Sequence, residues 1–429
     1  MFRTYKLRQI WYDMRHQSVV TWVTLAGTAL SIFLLMLTVT VQQIGVMPFA
    51  PESNRPRLLY GQNIHISSDN SDASSQMSYQ TARTLYGNLE GVERTACLSF
   101  WLIETTLQGT TREMVIALQR KCDADFWKVF DHRLVAGRYY TPEEVDADAH
   151  VAVITESMAK RLFGDIDPIG HELTVNHIPY KVTGIVADHS SLAQQASGDI
   201  FTPLCHKVNH RDFMGDNRFG EVTMALLLDE GADPADIRRQ VEANYAVLNT
   251  ELAAENKRAI YHGAPYDVET VNSSFYGSDT TPDLSGTRRE RLITYAILLL
   301  LPAINLASML HSRLRRRVSE FGIRRAFGCT SGRLIREILG ENFMVTIAGG
   351  IIGWICSIIF ISSYAGLFNL TYAFITDAYT SPAVGMLLNW RLILSALTIC
   401  FILNIISASI PAWQASRLKA IDAINGRTK

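Results

Sequence analysis

"SRLRRRVSEFGIRRAFGCTSGR", Ser312–Arg333, places seven arginines between two strongly apolar stretches. In a soluble chain such a run suggests nucleic acid. Its neighbours decide otherwise. Apolar windows occupy 292–310 and 343–368 on either side, with two more at 18–46 and 392–410, and none of the four contains Asp, Glu, Lys or Arg. Each is close to the ~20 residues that an α-helix needs to cross a bilayer core. The expected fold class is therefore an α-helical membrane protein with four transmembrane helices and a large α+β extracytoplasmic domain. The first window, preceded by Arg3, Lys6, Arg8 and Arg15, is longer than a secretory h-region and reads as an uncleaved anchor.

Charge sets the orientation. Residues 1–17 carry four Lys/Arg and one acid, 311–342 eight and three, 411–429 four and one, while 369–390 has no Lys or Arg. Basic loops stay in the cytoplasm. The expected order is a cytoplasmic segment 1–17, crossings at 18–46 and 291–310 around an outer domain 47–290, an inner loop 311–342, a crossing 343–368, a short outer loop 369–390, a crossing 391–410 and a cytoplasmic tail 411–429. Both termini then lie inside. The three arginines at Arg288, Arg289 and Arg291 oppose this locally but are outnumbered by the inner loop.

The outer segment 44–290 holds 35 Asp/Glu against 22 Lys/Arg, a net −13, so nucleic acid and anionic lipid are poor partners for it. Its cysteines, Cys97, Cys122 and Cys205, are odd in number and make no disulfide framework. Within it, Tyr60–Phe100 reads strand, helix, strand. Later, "EVTMALLL" reads as a strand, Asp233 as a helix cap, Pro234 as a first-turn proline, and Ile237, Val241, Tyr245, Leu248 and Leu252 as one helix face; "YDVETVNS" is expected to close this second unit as a strand. Between the two units, an insertion at about 116–220 reads as a mainly β lobe, with a helix ended by Gly164 and two strands joined at Asn176–Pro179. Cys205, His206 and His210 could hold zinc only with a fourth ligand that the sequence does not offer, so no metal is expected. No nucleophile comes with a base and an orienting acid.

The inner loop has more than charge. Glu320, Gly322, Ile323, Arg324, Arg325, Ala326 and Gly328 form "EFGIRRAFG", a short helix with small residues on one side and arginines on another, and Thr330 or Ser331 caps the helix that follows. Such a helix at the membrane exit suits a groove in a cytoplasmic protein. In the crossings, Gly349 and Gly353 form a GxxxG spacing that favours close helix packing, and Pro302 suggests a kink.

At these residues the chain resembles permease subunits of the MacB/FtsX/LolCDE superfamily of ABC transporters. The family's inner-loop pattern is matched by Arg317, Glu320, Phe321, Gly322, Ile323, Arg324, Ala326, Phe327 and Gly328, with Cys329 in place of the usual alanine. "PAWQASRLKAIDAI" is similar to the family's C-terminal pattern, with Ala420 replacing a proline, and "VAGRYYTPEE" and "VAVITESMAKRLFGDIDPIG" look like the MacB-type periplasmic core. The resemblance implies a bacterial inner-membrane protein whose short inner helix couples to a cytoplasmic ABC ATPase. It also implies a second permease copy or paralogue, a periplasmic adaptor or substrate, and force relayed to porter-like and inserted lobes outside. The chain has no G-x-x-x-x-G-K-[ST], so it is expected to be no enzyme and to need no cofactor of its own, ATP-Mg being bound by the partner. The rival expectations are an ATPase-independent receptor or scaffold and an FtsX-like cell-division regulator.

Overall fold

The computed structural model describes residues 46–297 except 70, 112, 190–192, 205–215 and 274–281, residues 300, 323 and 327–363, and scattered positions at 22–38 and at 394, 398 and 402. The chain forms two compact units. One comprises Gln43–Thr287 and Ala365–Ala383; the other Met1–Gln42, Arg288–Tyr364 and Val384–Lys429.

The first unit begins with β1 (Leu58–Gly61), β2 (Asn63–Ser68), β3 (Ser71–Gln76), α1 (Tyr79–Tyr86) and β4 (Val92–Ser99). It continues through β5 (Ile103–Gln108), β6 (Met114–Cys122), α2 (Phe126–Val129), β7 (Leu134–Gly137), α3 (Pro142–Asp146), β8 (Val151–Thr155), α4 (Glu156–Phe163), β9 (Glu172–Val175), β10 (Ile178–Val186) and β11 (Ile200–Pro203). It ends with β12 (Val222–Leu228), α5 (Pro234–Leu252), β13 (Lys257–Ile260), β14 (Tyr266–Asp267) and α6 (Val268–Ser273).

Strands β14-β1-β12-β4 lie side by side, each antiparallel to the next. With α1 joining β1 to β4 and α5 joining β12 to β14, this is a split βαβ arrangement of the ferredoxin-like kind. Alternation along the strands divides the side chains between two cores. Leu59, Cys97, Met224 and Leu226 meet α1 and α5 through Ala82, Leu85, Ile237, Val241, Tyr245, Leu248 and Leu252. Leu58, Tyr60, Ala96, Leu98, Ala225 and Leu227 face the other way, onto Phe126, Phe130, Val153 and Phe201. All seven residues of β12 are buried, which explains its unbroken apolar run. The sequence expectation for α5 holds in detail: Asp233 Oδ1 accepts from Ala235 N at 2.9 Å, Pro234 opens the helix, and the five named apolar residues are buried.

Between β4 and β12 the chain closes a barrel. β11 pairs with β8, β8 with β10, β10 with β9, β9 with β5, β5 with β6 and β6 again with β11. All six strands send apolar residues into one core, including Leu107, Ala117, Ile154, Val175, Val182 and Ile200, and α4 adds Met158, Leu162 and Phe163. The turn between β9 and β10 has Asn176 and His177 at φ 46° and 68°, the left-handed pair that a tight hairpin requires.

Three expectations need correction. The barrel includes β5, so the inserted lobe reaches upstream of residue 116. β3, pairing with β2 in a separate three-stranded sheet with β13, is a strand too polar to stand out in the sequence. "YDVETVNS" is a strand only at Tyr266–Asp267 and then turns helical, because Asp267 Oδ1 accepts from Thr270 N at 2.8 Å and caps α6.

In the second unit, α7 runs continuously from Ser331 to Ser363. Side chains are described along only part of it, and among the described residues no helix is long and apolar enough to cross a membrane. The windows at 18–46, 291–310, 343–368 and 391–410 otherwise fall largely outside the described residues.

Two buried carboxyls hold backbone amides, Asp123 between the barrel and the sheet beside it and Asp199 within the barrel. Asp123 accepts from Cys97 N at 2.8 Å and from Phe126 N at 3.0 Å, and Asp199 accepts from Leu118 N at 2.8 Å. Burial raises their pKa values to about 7 and about 6. Glu255, gripped by Arg218 and Lys257, is instead held at about 2. Between the ordinary carboxylate range and those raised values the folded state binds more protons than the unfolded one, so the contribution of Asp123 and Asp199 fades as pH rises toward 7. Glu255 contributes above its unfolded pKa and loses its contribution as pH falls toward 2. Thermal unfolding of the chain should therefore show higher stability at pH 5 than at pH 7.5. Asp199→Asn, which keeps an acceptor for Leu118 N, should flatten that dependence by at most ~3 kcal/mol.

Candidate functional site

The arginine-rich loop and the helix behind it were the sequence's strongest functional signal. Of its expected contact residues, Ile323 and Gly328 are described; Arg317, Glu320, Gly322, Arg324, Arg325 and Ala326 lie outside the described residues, as does Pro302. What is described fits a short helix that stops abruptly. Phe327 N donates to Ile323 O at 3.1 Å, the spacing of one α-turn. Gly328 follows at φ 89°, a left-handed conformation that glycine adopts without the cost a side chain would bring. Among the described residues no heavy atom stands near the Cβ position of Gly328. α7 then starts at Ser331, which leaves Thr330 at the cap position.

Two apolar side chains next to the arginines are left uncovered. Phe327 is 88% exposed and Ile323 51% exposed, one turn apart on the same side. An exposed phenylalanine one turn from an exposed isoleucine offers an apolar knob that a partner's groove can take up.

Gly349, Gly350 and Gly353 are all buried on α7, and Ser357, 2% exposed, continues their line one turn on. Their small size lets another segment approach the helix axis. Ring contact supports a close neighbour in the same unit: Phe33, from the first apolar window, meets Phe360 edge-on with centroids 5.6 Å apart. Leu25, Ala29 and Met36 of that window are buried as well. Ile351, Ile352, Ile355 and Ile359 are exposed on the other side of α7. α7 thus carries a glycine seam on one side and a row of open isoleucines on the other.

The first unit offers a small pocket of about 30 Å³ lined by residues that include His65, Ser74, Tyr245, His262 and Tyr266. His65 hydrogen-bonds Asp72 Oδ1 through Nε2 at 2.6 Å and His262 Nε2 through Nδ1 at 2.8 Å, and the two imidazoles stack. Hydrogen bonding to His65 holds the Asp72 carboxyl below its ordinary range. Sequence reading missed this trio because His65, Asp72 and His262 are brought together only by the pairing of β2 with β3 and β13. Among the described residues no group of three or more His, Cys, Asp or Glu could hold a metal ion. Cys205, His206 and His210 lie outside the described residues. Cys97 and Cys122 are buried, free thiols.

Replacing Gly353 with Leu should overfill the seam on α7 and destabilise the second unit by about 1–3 kcal/mol. Ile355→Leu on the exposed side should leave thermal unfolding in detergent unchanged.

Comparison with known proteins covers both units. A family described as MacB-like periplasmic core domain matches residues 21–244, and one described as FtsX-like permease C-terminal matches residues 292–420. The "Macrolide export ATP-binding/permease protein MacB" of Haemophilus ducreyi is 27% identical over 70% of this chain and 39% of its own length. The "Pyoverdine export ATP-binding/permease protein PvdT" of Pseudomonas aeruginosa is 25% identical over 54% of this chain and 33% of its own. This chain thus spans about two fifths or less of the length of these relatives. The periplasmic region of MacB from Actinobacillus actinomycetemcomitans aligns with 51% of this chain and 92% of its own, at 16% identity and a TM-score of 0.35.

Proposed function

Since this chain belongs to the family that pairs a MacB-like periplasmic core domain with an FtsX-like permease region, we propose that it is the membrane permease subunit of an ABC transporter. In this reading the first unit lies outside the cytoplasmic membrane of a bacterium. The second unit crosses it four times, with both termini inside. A separate cytoplasmic ATPase binds and hydrolyses ATP-Mg, and its closure moves the inner loop 311–342. The motion passes through the crossings to the outer unit, which drives export or extraction of a drug, peptide or lipoprotein. A second copy or a paralogue completes the pair, and a periplasmic adaptor can receive the cargo.

The observation that carries the reading is the end of the inner loop: a helical turn stopped at left-handed Gly328, presenting exposed Phe327 and Ile323 beside arginines. A loop that served only to hold positive charge inside would need no such apolar knob. The bare isoleucine row on α7 supports insertion in lipid. ATP binding by a partner is supported by the names of the relatives, which join an ATP-binding part to a permease part.

Affinity purification in mild detergent from the natural host tests this. Wild type should bring down an ABC ATPase and its activity, and Gly322→Asp, which puts a bulky acid among the small residues of the loop, should lose at least nine tenths of both. Recovery of equal ATPase with both proteins would remove the loop from the contact. Absence of any ATPase with wild type would favour the receptor or scaffold reading.

A further inference from the structure

The segment that leaves the first apolar window enters the outer unit at Met47–Arg55 and is held there by an unusual set of contacts. Glu52 is 1% exposed and Arg55 4% exposed. Arg55 Nε donates to Glu52 Oε2 at 2.6 Å, Arg55 Nη1 donates to Met47 O at 3.1 Å, and the guanidinium lies 4.2 Å above the Phe49 ring. Arg55 thus folds the segment onto itself and aims the other carboxylate oxygen away. Glu52 Oε1 accepts from both Gln195 N and Ala196 N, each at 3.0 Å.

Those two amides belong to a turn, 194–198, several of whose other backbone groups are taken by buried side chains, while Ser197 N donates to Ala193 O. Arg120, 1% exposed, donates from Nη2 to Gln194 O at 2.6 Å and from Nε to Ser197 O at 3.1 Å. It also donates from Nη1 to Ser99 O at 2.7 Å, which ties the turn to β4. His132 bonds Ala196 O through Nε2 at 3.0 Å, and Gly198 N donates to His189 Nε2 at 3.2 Å. Burial holds both imidazoles in their neutral form, His132 well below its ordinary pKa and His189 at about 4. Five consecutive residues of irregular backbone are therefore gripped from four directions by Glu52, Arg120, His132 and His189. Burying two charges to hold one turn is costly unless the hold itself is needed.

We propose that turn 194–198 is the joint by which the segment leaving the first apolar window holds the barrel, with Glu52 as the positioning residue on the membrane side and Arg120 as its counterpart on the β4 and β6 side. The purpose of the joint rests on the permease reading, since force arriving along that segment would be delivered to the barrel here; its geometry does not. Glu52 acts on backbone amides, so its effect is on where the segment sits, and the barrel keeps its own core.

The test uses the full chain in lipid nanodiscs with spin labels at Val46→Cys and Ile178→Cys, both partly exposed positions, the second on β10 of the barrel. A second pair at Met114→Cys and Ile178→Cys reports on the barrel alone. Wild type should give a narrow distance distribution for both pairs. Glu52→Ala should broaden the first at least twofold and leave the second unchanged. Glu52→Gln, which keeps an acceptor oxygen for the two amides, should broaden the first by less. Should Glu52→Ala also broaden the barrel pair, the barrel has been damaged and Glu52→Gln decides, its barrel pair staying narrow while its first pair widens. Equal widths for the first pair in wild type and both variants would overturn the proposal. Failure of any ATPase to bind the wild-type chain would sink the permease reading and leave this outcome intact.

Discussion

Strand β12 is the constraint on which the first unit depends. Its seven residues are buried on both faces, so it cannot be placed until a layer exists on each side. One layer is α1 and α5; the other is the aromatic group around Phe126, Phe130 and Phe201 that the barrel supplies. The ferredoxin-like sheet and the barrel are therefore not two domains joined by a linker. Leu98 and Ala225 from the sheet and Val153 and Val186 from the barrel belong to the same core. The polar joints reinforce this: Asp123 accepts from Cys97 N, and Arg120 reaches Ser99 O. Any displacement applied at one edge should move the whole body, as a transmitting element requires.

Much of this was legible in the sequence where the signal was local. Asp233 followed by Pro234 announced the start of α5, and the spacing of Ile237, Val241, Tyr245, Leu248 and Leu252 set out its buried face. The run "VTMALLL" marked a strand, and the structure shows that it is covered on both sides. The failures were also local. A short capping bond from Asp267 outweighed the alternating pattern of "YDVETVNS" and made a helix of it. In β3, Ser, Asp and Gln lie in a strand with no apolar alternation to betray it, and pairing with β2 alone fixes its form.

The site residues divide along a similar line. The loop 311–342 drew attention in the sequence because apolar windows flank it and because it gathers small residues and arginines. The exposure of Phe327 and the left-handed Gly328 add shape to that reading. The grip on turn 194–198 was invisible, since Glu52, Arg120, His132 and His189 are scattered over more than a hundred residues and each looks like an ordinary surface polar group in sequence. Burial is what distinguishes them, and burial of a charged residue is a tertiary property. The His65, Asp72 and His262 trio escaped for another reason: only the pairing of β2 with β3 and β13 brings the three together.

The central claim is that the first unit moves as one body. Amide hydrogen exchange on the intact chain in increasing denaturant tests it most directly, because it reports which strands open together. The shared core predicts that amides of β8 and β10 in the barrel lose protection at the same denaturant concentration as those of β4 and β12. Barrel strands that open at clearly lower denaturant while β4 and β12 stay protected would contradict it, and would make the barrel a lobe able to yield under load.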